Sequence, residues 1–388
     1  MNTTRLLMNI IASEMRMEKL SEEVCSELSK SDLAELYDLA TYHDMAHIVG
    51  DALDRIGGFE GEIYARFAKA RMLATFRMRR LVDELSQLSD FFEKEKIDHI
   101  PLKGAVLRNF YPEPWMRTSC DIDILVKKED LERASDALVS SMGYSLVFKT
   151  THDISFNSPT GVHLELHFVL IEDGFIGAEV VFLEKIWDFV IPDRNKTYTF
   201  HMPDEIFYLY HIAHMAKHVV AGGCGIKSFV DLWILENRVD FDAKKRAAIV
   251  CDSGLSLFEK GAKQLADAWF CGAEKDELSV SFENFVLSGG VYGTVHNGVS
   301  VGVAKKQSRF KYALSRIFLP YEKLKLLYPS LEKHKWLYPF CQVRRFFRVV
   351  FKGGLKRAKE QLSNSKNISS EEIADTVNVL VGLGLKTD

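Results

Sequence analysis

Two aspartates, Asp121 and Asp123, lie two residues apart in the otherwise apolar and largely β-branched segment 121–126. Successive side chains of a strand point to opposite faces of a sheet, so both carboxylates share one face, roughly 6–7 Å apart. They repel each other unless a positive charge lies between them, and hard oxygen ligands favour Mg²⁺ or Mn²⁺. Such a pair is also common on the solvated face of an edge strand. The neighbouring segments are therefore needed to distinguish a metal site from an exposed face.

The segment 97–107 predicts a short strand that ends at Lys103 and Gly104 and is followed by a helix. Glycine lets a backbone approach a phosphate closely, and a helix N-terminus offers free N–H groups and the positive end of its dipole. Lys103 adds a positive charge. Taken alone, these two residues fit an ordinary strand-to-helix turn with a surface lysine better than a phosphate site.

Downstream, the segment 162–170 alternates between apolar and polar side chains, which predicts a strand with one buried face. The turn-forming residues 157–161 precede it and make it the second arm of a hairpin. Its other face carries His163, Glu165 and His167. Glu165 brings a third carboxylate towards the aspartate pair, although an exposed polar face is common in antiparallel sheets.

Helices are predicted around these strands. Residues 129–141 form an amphipathic helix with Gly143 as its C-terminal cap, and residues 62–96 form a long charged helix that packs against the sheet. Near the C-terminus, a capping box at Ser369 opens a short helix that runs to Gly382.

With these residues in this order, the chain resembles the DNA-polymerase-β-type nucleotidyltransferase superfamily. It is most similar to the bacterial branch usually called the uncharacterised nucleotidyltransferase family, over residues 95–235 and more weakly to about residue 350. Most superfamily members carry Gly-Ser or Gly-Gly at the phosphate turn, with a shorter gap to the aspartates than is found here. The matching positions are Leu102-Lys103-Gly104, Arg117, Asp121-Ile122-Asp123, Gly143-Tyr144, His152 and His163-Leu164-Glu165-Leu166-His167.

The resemblance implies an α+β fold. A polymerase-β-like nucleotidyltransferase core, consisting of a small mixed sheet with flanking helices, is embedded in N- and C-terminal helical regions. The expected divisions are an N-terminal helical region at 1–96, the catalytic core at 97–200, a helical domain lining the cleft at 201–302, and a basic, mostly helical C-terminal region at 303–388.

The implied reaction moves a nucleoside monophosphate from an NTP to an acceptor hydroxyl and releases pyrophosphate. Asp121 and Asp123 would hold two Mg²⁺ (or Mn²⁺) ions, and Glu165 would complete the second metal site or act as the general base. The acceptor is not readable from the sequence; a sugar or other small molecule, a peptide and a protein all remain open.

Further residues receive roles around this centre. Lys103 and Gly104 would contact the β- and γ-phosphates. Arg117 would neutralise charge on the same group or fix the aspartate strand. His163 and His167 would hydrogen-bond the carboxylates as an outer shell or meet the substrate.

A histidine-rich helix follows the core. His211, His214 and His218 share one helical face, and Lys227 and Asp231 follow on the next helix. The resemblance implies that these residues line the nucleotide or acceptor cleft. Histidines that are simply packed inside a helical domain are about as common. A third interpretation is a transition-metal site of a metal-dependent hydrolase.

The composition narrows the classes of protein to which the chain can belong. The 388 residues are long enough for two or three domains, and 47% are hydrophobic, which excludes a disordered chain. Six scattered cysteines without a C-x-x-C pair indicate reduced thiols. No apolar run reaches the roughly 20 residues of a spanning helix, so a soluble cytoplasmic protein is expected.

The net charge of −4 hides an asymmetry. Residues 305–359 hold sixteen Lys and Arg against two Glu, which leaves about −18 on the rest of the chain. We expect this segment to dock onto the acidic remainder; RNA or an anionic membrane surface would also suit it. An RNA-directed nucleotidyltransferase or RNA-binding protein is therefore one alternative function. A noncatalytic nucleotide-binding regulatory protein with the same fold is another.

Overall fold

The computed structural model describes residues 1–171, 180–291, 293–306, 318–351 and 368–385, together with residues 308, 312 and 314. Within these residues the fold is mixed α+β, as expected, with one five-stranded sheet set among helices. No helix in the described part of the chain is both long and apolar enough to cross a membrane.

Five helices precede the sheet. Side chains of Asn2, Ser21 and Asp32 cap the first three by accepting backbone N–H groups. The long helix predicted over 62–96 is confirmed, ending two residues earlier. The helices are α1 (Thr3–Arg16), α2 (Glu22–Lys30), α3 (Leu33–Tyr42), α4 (Ala46–Ile56) and α5 (Glu62–Lys94).

The five-stranded sheet has the strand order β1-β2-β5-β4-β3. Strands β2 and β5 pair in parallel, and every other pairing is antiparallel. The predicted hairpin is confirmed as β4 and β5. The strands are β1 (His99–Pro101), β2 (Asp121–Val126), β3 (Ser145–Lys149), β4 (Asp153–Asn157) and β5 (His163–His167).

Helices α6 (Gly104–Leu107) and α7 (Leu131–Met142) connect the first three strands. The helix predicted after the Lys-Gly turn has only four residues before a 3₁₀ turn, so it offers little macrodipole. Helix α7 ends at Gly143 in the left-handed conformation, with a φ of 69°, as its cap signal predicts.

One face of the sheet is apolar. Ile122 and Ile124 of β2 and Leu164 and Leu166 of β5 are at most 2% exposed. They form one hydrophobic cluster with side chains of α5 and α7. Burial of such a side chain contributes roughly 1.5–3 kcal/mol. The opposite face therefore turns its polar residues towards the rest of the molecule.

A helical region covers that polar face. The edge strands β6 (Ile191–Pro192) and β7 (Phe200–His201) lead into it after a short α8 (Val181–Glu184). Side chains of α9, α10 and α12 share one large hydrophobic cluster with those of α1 and α4. The helices are α9 (Asp204–Ala221), α10 (Ile226–Arg238), α11 (Ala243–Asp252), α12 (Ser256–Phe270), α13 (Glu277–Gly289) and α14 (Val295–Lys306).

The C-terminal region contributes three more described helices, α15 (Tyr321–Leu327), α16 (Tyr338–Phe351) and α17 (Ser370–Gly382). The capping box of α17 is confirmed, because Ser369 and Glu372 exchange hydrogen bonds between side chain and backbone. Much of the basic segment, including residues 352–359, lies outside the described residues. Its docking onto the acidic remainder stays a prediction, as do the domain boundaries.

Candidate active site

The polar face of the sheet and helices α9 and α10 enclose a cavity of about 300 Å³. Twelve of the thirteen site residues expected from the sequence line it. The exception is His163, whose ring nitrogen Nδ1 lies 3.0 Å from the side-chain oxygen of Asn157. The twelve are Lys103, Gly104, Arg117, Asp121, Asp123, Glu165, His167, His211, His214, His218, Lys227 and Asp231.

A larger cavity of about 820 Å³ lies between α1, α2 and α12. None of the expected site residues line it. Two of its charged lining residues pair with each other, since Lys275 Nζ lies 2.6 Å from Glu283 Oε1. Size alone therefore does not mark the chemical site, and the smaller cavity is the candidate.

Strand register brings the carboxylates together. In the parallel pairing of β2 and β5, Asp123 lies opposite Glu165, and both side chains project into the cavity. His167 follows on the same face of β5. Ligand atoms of Asp123, Glu165 and His167 all lie within 4.8 Å of one another. The two carboxylates suit the Mg²⁺ or Mn²⁺ that the sequence predicts, whereas the imidazole of His167 is a ligand more typical of transition metals.

His167 lies within direct hydrogen-bonding distance of the carboxylate group that would bind the cation. Its Nε2 lies 2.8 Å from Asp123 Oδ1 and 3.4 Å from Glu165 Oε2. Asp121 lines the same cavity, but its carboxylate is not a member of the three-residue ligand group. Its role as a metal ligand stays a prediction.

Lys103 reaches into the same group. Its Nζ lies 2.6 Å from Asp123 Oδ1 and 3.9 Å from Glu165 Oε2. Burial disfavours the charged ammonium, but its acidic neighbours, Asp123 before Glu165, together outweigh burial and raise the pKa of Lys103. The lysine therefore stays charged at every physiological pH.

The two aspartates have opposite electrostatic surroundings. Burial, and then the charge of Asp123, raise the pKa of Asp121 to about 6. Burial acts in the same direction on Asp123, but Lys103 and His167 outweigh it and lower its pKa below the usual range. Asp123 therefore carries the permanent negative charge of the pair.

A buried ion pair fixes the segment before β2. The Nε of Arg117 donates to Asp231 Oδ1 at 2.6 Å, and the hydroxyl of Tyr111 donates to the same oxygen at 2.6 Å. Arg117 and Asp231 are 8% and 1% exposed. Of the two roles expected for Arg117, this contact favours the positioning of the aspartate strand against α10.

Lys227 is held by residues that the sequence did not single out. Its Nζ lies 3.1 Å from Asp44 Oδ2 and 3.4 Å from the carbonyl of Thr118, whose hydroxyl also donates to Asp44. Asp44 lies in the turn between α3 and α4, and no sequence motif marks it. Arg108, another residue without a motif, donates to the Gly104 carbonyl at 2.7 Å and so fixes the Lys-Gly turn.

The three histidines of α9 line the cavity without forming a common ligand set. His211 Nε2 lies 2.9 Å from the carbonyl of Ser228, whereas His214 and His218 face each other with Nε2 atoms 3.3 Å apart. Burial lowers the pKa of His214, and it lowers that of His218 to about 4, so both rings are neutral at pH 7. Among the described residues, no three-residue ligand group includes them.

Comparison with known proteins gives one match. Residues 29–271 match the family model described as an uncharacterised nucleotidyltransferase. This match spans more than half of the chain and confirms the family that the motifs indicated. No curated protein and no solved structure matches the chain.

Proposed function

The chain belongs to the uncharacterised nucleotidyltransferase family, and from this premise we propose that it transfers a nucleoside monophosphate from an NTP to an acceptor hydroxyl, with release of pyrophosphate. The observation that carries the proposal is the alignment of Asp123 with Glu165 across parallel strands, beside Lys103 in one cavity.

Asp123, Glu165 and His167 are the residues that would hold a divalent cation, with Asp121 beside them. Bound there as Mg²⁺ or Mn²⁺, the ion would neutralise phosphate charge and activate the attacking hydroxyl. The protein supplies positioning and charge, since phosphoryl transfer leaves it little covalent work.

Lys103 is the residue placed to meet the triphosphate. Its ammonium is half-buried beside Asp123 and Glu165, and Gly104 next to it leaves the backbone open to close approach. A Cβ atom at Gly104 would lie 3.1 Å from the side chain of Ser119, which favours glycine at this position. Because α6 is so short, the phosphate contact rests on the lysine rather than on a helix dipole.

The remaining lining of the cavity would receive the base or the acceptor. Phe207, Tyr210 and Leu170 give it an apolar wall, and His214 and His218 add neutral imidazoles that can donate or accept hydrogen bonds. Attack on the α-phosphorus forms one O–P bond to the acceptor, breaks the bond to the β-phosphate oxygen, and releases pyrophosphate. Glu165 would accept the hydroxyl proton if it is not engaged by the cation.

Product chemistry tests this proposal without a known acceptor, because water or glycerol can replace the acceptor hydroxyl. The purified protein would be incubated with each of the four NTPs and Mg²⁺, and pyrophosphate and orthophosphate would be measured separately. We expect slow pyrophosphate release that is absent in Asp123→Asn and retained in Asp193→Asn, a surface carboxylate paired with His201. Release of orthophosphate and NDP instead would overturn the proposal, because it would mean attack at the γ-phosphorus.

A further inference from the structure

The backbone of Lys103 adopts a conformation that glycine usually occupies. Its φ is 45° and its ψ is −118°, and it is one of five non-glycine residues with a positive φ among the described residues. L-residues avoid this region for steric reasons, and strained residues concentrate at functional sites. Glycine would adopt this conformation without strain. A lysine at this position therefore indicates a role for its side chain.

This turn places the ammonium of Lys103 next to the candidate metal ligands. Lys103 Nζ lies 2.6 Å from Asp123 Oδ1 and 3.9 Å from Glu165 Oε2. The side chains of Asp123 and Lys103 are 4% and 21% exposed, so the pair is partly shielded from water. The ammonium thus already neutralises part of the charge that a divalent cation would be attracted to.

Two other cations of the cavity have partners outside this ligand group. Arg117 pairs with Asp231, and Lys227 pairs with Asp44. Lys103 differs because its partner, Asp123, is itself a member of the ligand group. A divalent cation bound by Asp123 and Glu165 would face this ammonium at short range, where like charges repel strongly in a buried site.

We propose that Lys103 is an internal counter-ion that makes cation binding depend on the triphosphate. Without nucleotide, the ammonium neutralises Asp123 and Glu165 and opposes entry of a divalent cation. When a triphosphate enters, Lys103 turns to its oxygens and frees both carboxylates. This inference rests on the proposed function for the identity of the anion, but not for the competition between Lys103 and the cation. Because binding couplings are reciprocal, the cation strengthens triphosphate binding by the same factor.

Mn²⁺ binding without nucleotide tests the competition directly. The free Mn²⁺ signal would be titrated by electron paramagnetic resonance in the full chain and in Lys103→Met, Lys103→Gly and Lys275→Met. The methionine variant removes the charge and keeps the strained turn, whereas the glycine variant removes both. Lys275→Met makes the same chemical change outside this cavity, at a lysine paired with Glu283.

We expect both Lys103 variants to bind Mn²⁺ at least about tenfold more tightly than the unchanged chain, and Lys275→Met to differ by less than about threefold. Adding Asp123→Asn to Lys103→Met should abolish the gain. Unchanged affinity in Lys103→Met overturns the proposal, as does a gain confined to Lys103→Gly, which would assign the effect to the turn. A gain that survives Asp123→Asn also overturns it.

The outcome separates this inference from the transferase itself. Tighter Mn²⁺ binding in the Lys103 variants, together with no pyrophosphate release by the unchanged chain, would keep the counter-ion and reject the transfer reaction. Pyrophosphate release together with unchanged Mn²⁺ affinity in Lys103→Met would keep the reaction and reject the counter-ion. Thermal unfolding of each variant would confirm that the titrated protein is folded.

Discussion

The two faces of strands β2 and β5 are built from alternate residues of the same segments, yet they do different work. One face places Ile122, Ile124, Leu164 and Leu166 in a closed core against α5 and α7. The other places its carboxylates and His167 on the wall of a cavity. Successive side chains of a strand alternate between the two faces of a sheet. Neighbouring residues of β2 and β5 therefore contribute either to the stability of the fold or to the chemistry of the cavity. Changes on the two faces should therefore have separable effects.

The apolar face is tested by Leu164→Ala. Leu164 is fully buried, so truncation should cost about 2–5 kcal/mol of unfolding free energy through lost burial and a residual cavity. Urea unfolding measures this loss. Mn²⁺ affinity of the folded variant should be unchanged, and a tenfold loss of affinity would break the separation between the faces.

A pH series sharpens the comparison, because the four apolar side chains of β2 and β5 hold no titratable group. His43, at the end of α3, is buried, and burial lowers its pKa to about 4 from 6.5. The unfolded chain then binds more protons, so the stabilisation is complete above pH 6.5 and is lost as the pH falls towards 4. The loss amounts to about 3 kcal/mol.

Urea unfolding between pH 8 and pH 4 measures this dependence. His43→Leu should make the slope of stability against pH shallower, whereas Leu164→Ala should shift the curve without changing its slope. An unaltered slope in His43→Leu would contradict the assignment.

The strained turn gives a paired comparison on the polar side. Lys103→Gly and Lys103→Met both remove the ammonium, but only glycine adopts a φ of 45° without strain. We expect the glycine variant to be the more stable of the two by about 1–3 kcal/mol. Thermal or urea unfolding of both proteins gives the difference, and equal stabilities would show that the turn is not strained.

The polar face itself is tested by Glu165→Gln. Loss of this carboxylate should weaken Mn²⁺ binding at least about tenfold, or about 1.4 kcal/mol, while the unfolding free energy changes little because the side chain is only partly buried. His163→Gln is the matched control, since His163 lies two residues earlier on the same face of β5 but does not line the cavity. Equal losses in both variants would contradict the assigned ligand group.

Local sequence patterns predicted much of this centre. The period-two alternation of residues 121–126 and 162–170 identified which side chains share a face, and the hairpin turn identified strand β4 as the neighbour of β5. These features depend on residues close together in the chain. The clearest case is Glu165: alternation assigns it to the polar face of its strand, the family resemblance implies its place beside the aspartates, and it lies opposite Asp123 in the structure.

Contacts between distant segments were beyond such patterns. Arg117 and Asp231 are 114 residues apart, and no local periodicity pairs them. Asp44 pairs with Lys227 across 183 residues. Likewise, alternation put His167 on the correct face, but only the register of β2 and β5 shows how near it lies to Asp123. An amphipathic pattern shows which face of a helix is buried but not which helix packs against it. The shared core of α1, α4 and α9 therefore could not be predicted from the sequence.

The most direct test of the central claim is calorimetric titration of nonhydrolysable ATP, CTP, GTP and UTP analogues with Mg²⁺. It would be run on the unchanged chain, on Asp121→Ala/Asp123→Ala, and on Leu164→Ala. We predict Mg²⁺-dependent binding of at least one analogue that is lost in the double variant and kept in Leu164→Ala. Binding that survives in the double variant without Mg²⁺ would indicate a noncatalytic nucleotide site, and it would contradict a catalytic centre on the polar face of β2 and β5.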